Sequence, residues 1–272
     1  MDLGLSAQVA LITGGSKGIG RETALGFARE GAACAIVARD PSGLKNAVQW
    51  IKEQVPEAQL HAISADLSAE ANAKAAVEDA INYFGHVDIL VNCAGAAPGR
   101  VLMDIDDHLW NLALGVKFLG YVRMTKSVIP HFLERGQGVI VNVVGNDGIK
   151  PSYWELTGTA ANAADLAVMQ ALADQYGRYN IRINSVNPGP VDTGRWEQLT
   201  EAFARDLAFD VPTADIRAKR SMTPHRIARP EEVANVVVFL ASPRASFIHG
   251  AQLTVDGNQR KALMDRTDDG TL

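Results

Sequence analysis

Cysteine is scarce. Cys34 and Cys93 are the only two in 272 residues, and each lies in an apolar, strand-like run, a setting for reduced core residues rather than for a disulfide or a thiolate metal site. An excess of positive charge is also missing: the formal net charge is -5. A general basic face for nucleic acid or an anionic membrane is therefore excluded, although local basic pockets are not. No hydrophobic run reaches the length of a membrane span, and the opening stretch "MDLGLSAQVALITGG" has neither a basic leader region nor a long apolar segment. The expected location is cytoplasmic. The six histidines contain no His-x-x-x-His pair, and no metal is expected. Linkers, repeats and low-complexity tracts are absent too, so residues 1–272 read as a single domain, with enough apolar residues (47%) to bury a large core.

What the chain does contain is a rhythm. Short β-branched runs, "VALIT", "CAIVA", "HAISA", "DILVNCA", "GVIVNVV" and "IRINSVNPG", are separated by longer stretches with helical spacing. Apolar runs without alternation belong to strands buried on both faces, which predicts an α/β fold: a doubly wound parallel sheet with helices on both faces. A late strand, "AQLTVDG", follows the helix "PEEVANVVVFLAS", whose Pro and Glu residues mark an N-terminus. One long segment, residues 194–229, stands outside the rhythm and carries Trp196, Phe203 and Phe209. Such an excursion reads as a substrate loop or lid, or as helices packed on the domain or on a second subunit.

In "VALITGGSKGIGRETALGFAREG", Gly14, Gly18 and Gly20 follow the first strand and open an amphipathic helix. This is the pattern a dinucleotide demands: a tight turn, close approach of the backbone to the pyrophosphate, and helix N–H groups aimed at an anion. An acidic residue usually ends the second strand and binds the adenosine ribose. Here Ala38 and Arg39 stand there instead. An arginine can fork onto a 2′-phosphate, and Lys17 in the glycine loop adds a second charge, so NADP is expected over NAD. Asp40-Pro41 reads as an N-cap followed by Pro at the first helical position.

Five ordered motifs then resemble the short-chain dehydrogenase/reductase family over almost the whole chain. They are "TGGSKGIG", "ADL" at Asp66 and Leu67, "NCAG" at Asn92 to Gly95, "NPGPVDT" at Asn187 to Thr193, and "VDGN" near the end. The resemblance implies a Rossmann-type, dinucleotide-binding domain, a homodimer or homotetramer, and a small-molecule substrate. It also implies cofactor contacts at Gly14, Ser16, Gly18, Ile19, Asp66, Ala94, Gly95, Pro188, Gly189, Val191 and Thr193, to which the glycine turn, the charge reading and the motifs themselves add Lys17, Gly20, Arg39, Leu67 and Asn92.

The family's catalytic set is Ser, Tyr-x-x-x-Lys and an Asn on the preceding helix. Counted without gaps, those places fall on Gly145, Gly158, Asn162 and Lys117. The amide and the ammonium have in effect traded helices. Lys117 could serve as a general acid or base, with its pKa lowered by desolvation and by the positive nicotinamide, or it could simply bind ribose or reach solvent. Asn162 is expected to hydrogen-bond the ribose or the backbone. Glu155 would lie on the same helical face as Gly158, one turn earlier. Tyr153 and the "PSYW" stretch read as pocket wall, and Asn146 and Asp147 rank below them.

The expected function is NADP-dependent oxidation or reduction of a small carbonyl or alcohol at a rearranged site. The alternatives are a lyase or isomerase on the same fold, and a catalytically inactive NADP-binding sensor.

Overall fold

A computed structural model describes residues 2–95, 97 and 99–261. Within them a seven-stranded parallel sheet has the order β3-β2-β1-β4-β5-β6-β7. The strands are β1 (Val9–Thr13), β2 (Ala33–Ala38), β3 (Leu60–Ser64), β4 (Ile89–Asn92), β5 (Gly138–Val143), β6 (Ile181–Pro188) and β7 (Gln252–Val255). The chain winds outward from β1 to β3, then returns to lay β4 on the other side of β1. A crevice opens where the winding reverses, at the C-terminal ends of these strands.

The unalternating apolar runs have a direct cause. In β1, Ala10 and Ile12 belong to one hydrophobic core and Val9 and Leu11 to a second, because successive side chains point to opposite faces. The first core is closed by α1 (Gly18–Arg29), α2 (Pro41–Gln54) and α9 (Pro230–Ala241). The second is closed by α3 (Glu70–Phe84), α5 (Leu119–Arg135) and α6 (Leu156–Tyr176). Cys34 is fully buried in the first core and Cys93 is half-buried; both are free thiols.

Local chemistry sets the helix starts. The Asp40 carboxylate accepts hydrogen bonds from the backbone N–H groups of Ser42 and Gly43, both at 3.0 Å, with Pro41 in the first turn of α2. At α9, Glu232 reaches back to the Arg229 N–H at 2.8 Å. The far end of α9 is held by Arg182 on β6. Its guanidinium donates to the carbonyls of Leu240 at 2.9 Å and of Ala241 and Ser242 at 3.1 Å each. Arg182→Met would leave these carbonyls without their donor, so it is expected to lower stability by about 1–3 kcal/mol, read as a shift of the urea midpoint.

Residues 194–229 are largely helical, with α7 (Gly194–Asp206) and α8 (Val211–Arg220). A third small core holds them: Trp196 and Phe203 pack with Trp154, and the Trp154 and Phe203 rings meet edge to face at 5.3 Å. The aromatic residues of this segment therefore spend much of their apolar surface on one another. Between β4 and α5 the chain forms α4 (Asp107–Ala113) and then one π-helical turn, Leu114–Phe118.

Candidate active site

A cleft of about 1040 Å³ runs along the strand ends from Lys17 to Lys261. Its nucleotide half is built by backbone. Gly14 turns the chain out of β1 at φ +70°, and α1 starts at Gly18, so its first N–H groups face the cleft. Thr13 fixes the opposite lip: its hydroxyl accepts from the N–H groups of Cys93 at 2.9 Å and Ala94 at 3.0 Å. The loop after β4 is thereby tied to β1.

Ser16, Lys17, Gly18, Ile19, Gly20, Arg39, Asp66 and Leu67 line this half of the cleft; Ala94, Gly95, Pro188, Gly189, Val191 and Thr193 line the half nearer α6. Arg39 is exposed and its charge is felt by Asp66. Hydrogen bonds from the Ser68 backbone and side chain hold the Asp66 carboxyl below its ordinary range. Asn92 is placed differently. It is fully buried behind the cleft, with its amide donating to Asn142 at 2.9 Å and Thr125 at 3.3 Å. Its side chain ties β4 to β5 and α5, and any service to a nucleotide is through the position of the loop that follows it.

Lys117 lies in the π-helical turn, and its side chain lines the cleft. Such a turn inserts an extra residue into the helical repeat and re-aims the side chains that follow. The Lys117 stem runs against Gly95, where a Cβ would sit 3.1 Å from the lysine Cγ. Its Nζ stands 5.6 Å from the centroid of the Tyr121 ring. Burial pushes the Lys117 pKa down, while Asp165 and Asp147 pull it back up. Tyr121 is locked by its hydroxyl, which donates to the Val143 carbonyl at 2.7 Å, and burial holds its pKa well above the ordinary value.

On α6, Gly158 and Asn162 are buried one turn apart. Asp147, in the loop after β5, fills the space beside them. A Cβ on Gly158 would lie 2.6 Å from one Asp147 carboxylate oxygen, and a Cβ on Gly145 would lie 2.7 Å from the other. Asn162 donates to that second oxygen. Burial and the neighbouring Glu155 carboxylate raise the Asp147 pKa, with Lys261 and Lys117 acting against them. Glu155 sits at the N-cap of α6, half-buried, and is ion-paired with Lys261. Arg195 donates to the Ala97 carbonyl, and its guanidinium is also felt at Lys117.

Four charged residues that sequence reading ranked low or omitted therefore belong to this region: Asp147, Asp165, Arg195 and Lys261. Asp165 was legible only as an acidic residue on an alanine-rich helix, three positions after Asn162 and hence on the same face. Arg195 and Lys261 lie 78 and 144 positions from Lys117 in the chain (195 − 117 and 261 − 117), and no local spacing could join them. The loop carrying Asp147 is held by the C-terminal segment: Asn146 donates to Gln259 at 2.7 Å and Lys150 to Asp256 at 2.6 Å.

The chain is similar to known proteins over nearly its whole length. Residues 14–257 match the family model described as Enoyl-(Acyl carrier protein) reductase. An uncharacterized oxidoreductase, YvrD, of Bacillus subtilis is 32% identical over 97% of this chain and 100% of its own. The 3-oxoacyl-[acyl-carrier-protein] reductase FabG of Thermotoga maritima is 31% identical, covering 93% and 98%. Among solved structures, L-sorbose reductase from Gluconobacter frateurii, complexed with NADPH and L-sorbose, superposes with a TM-score of 0.88 at 32% identity, over 95% of this chain and 98% of that one.

Proposed function

Because the chain belongs to the short-chain dehydrogenase/reductase family, we propose that it is an NADP-dependent oxidoreductase of a small carbonyl or alcohol whose proton is carried by Lys117. The observation that carries this reading is a half-buried lysine lining the cleft under the influence of two carboxylates, in a site where Asp147 packs against Gly158. An amine held there can exchange a proton, with a pKa brought nearer the working pH by burial.

The residues present fit a phosphorylated dinucleotide. The glycine turn has no room for side chains, the start of α1 presents N–H groups to a diphosphate, and Lys17 and Arg39 both line the same end as candidates for a 2′-phosphate. Asp66 and Leu67 would flank the adenine, and Ala94, Gly95 and the Pro188 to Thr193 stretch would hold the nicotinamide end. When bound, the cofactor supplies or accepts the hydride. Lys117 then gives a proton to the substrate oxygen during reduction and takes one during oxidation. Asn162 holds Asp147 in place by its hydrogen bond, and Glu155 anchors Lys261 at the substrate side. The chain works as one domain, residues 1–272, with 194–229 forming the substrate-side wall. Exposed Leu112, Leu119 and Leu133 supply apolar surface that a homodimer or homotetramer would bury.

Nicotinamide absorbance, followed over a broad panel of carbonyls with NADPH and alcohols with NADP, tests the reading directly. Turnover on at least one class is expected. Silence across the panel despite tight NADPH binding would shift the assignment to a sensor. A substrate altered without any net change in the cofactor, seen by mass spectrometry, would shift it to a lyase or isomerase. Arg39→Asp is expected to weaken NADPH binding by about tenfold to hundredfold, the worth of a charge-assisted hydrogen bond, and to leave NADH binding within a few fold. Isothermal titration of both cofactors measures it.

A further inference from the structure

Asp165 is fully buried in the middle of α6, and neither carboxylate oxygen has a hydrogen-bond partner among the described residues. Buried carboxylates without partners are costly, and in a native protein each asks for a reason. The helix around it is otherwise suited to packing: Ala161, Leu166, Met169 and Ala173 are buried with it. The π-helical turn that carries Lys117 packs against this same helix, and the charge of Asp165 is the largest influence opposing the desolvation of Lys117. The two groups form no direct ion pair within 4.0 Å, so they act on each other through space.

We propose that Asp165 is the internal proton-sharing partner of Lys117, a positioning residue that keeps a proton on the pair beside the cleft so that one is ready for the substrate oxygen. This rests on the reading of Lys117 as the proton carrier. In the reducing direction one ammonium N–H bond breaks and its proton forms the new O–H bond of the alcohol, while the hydride comes from the reduced nicotinamide. The neutral amine and the Asp165 carboxylate then hold one net negative charge. A proton from water entering the open cleft restores the pair. Burial pushes the Asp165 carboxyl up to about 8 against the pull of Lys117, so the proton of the resting pair is shared between the carboxyl and the amine.

The other groups whose charge bears on Lys117 are Asp147 from the loop after β5, Cys93 from the loop after β4, and Arg195 from α7; the Tyr121 ring of α5 lies beside the amine. Besides burial, the charge of Lys117 bears on Asp165. Asp165 therefore acts on Lys117 together with Asp147, and at Asp165 burial outweighs the charge of Lys117.

Heteronuclear NMR of isotope-labelled lysine side chains in the full-length chain reads the pair without any substrate, with Lys117→Met identifying the signal. In Asp165→Asn the Lys117 titration midpoint is expected to move to lower pH. An unchanged midpoint overturns the proposal. Asp165→Leu serves as the second variant. It is expected to lower the urea midpoint, because the amine loses its partner; a raised midpoint would show an unpaired buried acid and overturn the pairing. The activity readout is separate: in Asp165→Asn, kcat for reduction at neutral pH should fall by about tenfold or more, with the pH profile displaced to acid and KM little changed. A displaced NMR midpoint with an undisturbed pH profile would retain the pair and overturn its role in turnover, and with it the reading of Lys117.

Discussion

Lys117→Met is expected to lower kcat by about a hundredfold to ten-thousandfold, the range typical of a positioned acid or base, and to leave NADPH affinity within a few fold. Methionine keeps most of the length and the apolar stem that runs along Gly95, so the turn Leu114–Phe118 should retain its packing. What is lost is one ammonium. Residual turnover should remain, since orienting the substrate beside the cofactor contributes independently of the proton donor. Steady-state kinetics combined with calorimetric titration of NADPH separate the two effects. A variant that turns over at the wild-type rate would remove Lys117 from the chemistry and leave Asp147, the other buried titratable group at Gly158, as the next candidate.

Gly20→Ala is expected to cost NADPH binding at least about a hundredfold, or roughly 2.7 kcal/mol. By helix propensity alone the change should help, because alanine in a helix is favoured over glycine by about 1 kcal/mol. The tertiary contact decides otherwise. A Cβ at Gly20 would press into the carbonyl of Gly14, far inside van der Waals contact and against backbone that has no rotamer to yield. The turn between β1 and α1 must open, which typically costs about 1–3 kcal/mol of stability and displaces the N–H groups meant for the diphosphate. Calorimetry with NADPH and a thermal melt test both halves. Full affinity in this variant would contradict the nucleotide assignment of the whole loop.

Much of the fold was legible because it is written in local terms. The runs of β1 and β2 are apolar almost throughout since both sheet faces are covered, and a continuous apolar run needs no knowledge of its neighbours to be recognised. The Asp40-Pro41 cap and the start of α9 at Pro230 are likewise satisfied within a turn of chain. Asn92 shows the limit. Its motif marks a nucleotide loop, yet its amide turns inward to Asn142 and Thr125, residues 50 and 33 positions away, because β4 is buried on both faces. The aromatic residues of 194–229 show the same limit, with Trp196 and Phe203 gathered around Trp154.

Spacing and local chemistry were enough to read a parallel α/β sheet and a glycine turn of the kind a dinucleotide demands, since each depends on residues within a few turns of chain, whereas the expectation that Gly158 and Lys117 stand in for a familiar hydroxyl and amide came from the family resemblance. Tertiary structure decided what surrounds that lysine. Asp147 reached Gly158 through a loop held by the C-terminal segment, and the helix α6 that carries Asp165 packs on the π-helical turn that carries Lys117. Charges act through space and through excluded water, and neither distance nor burial is recorded in the order of residues.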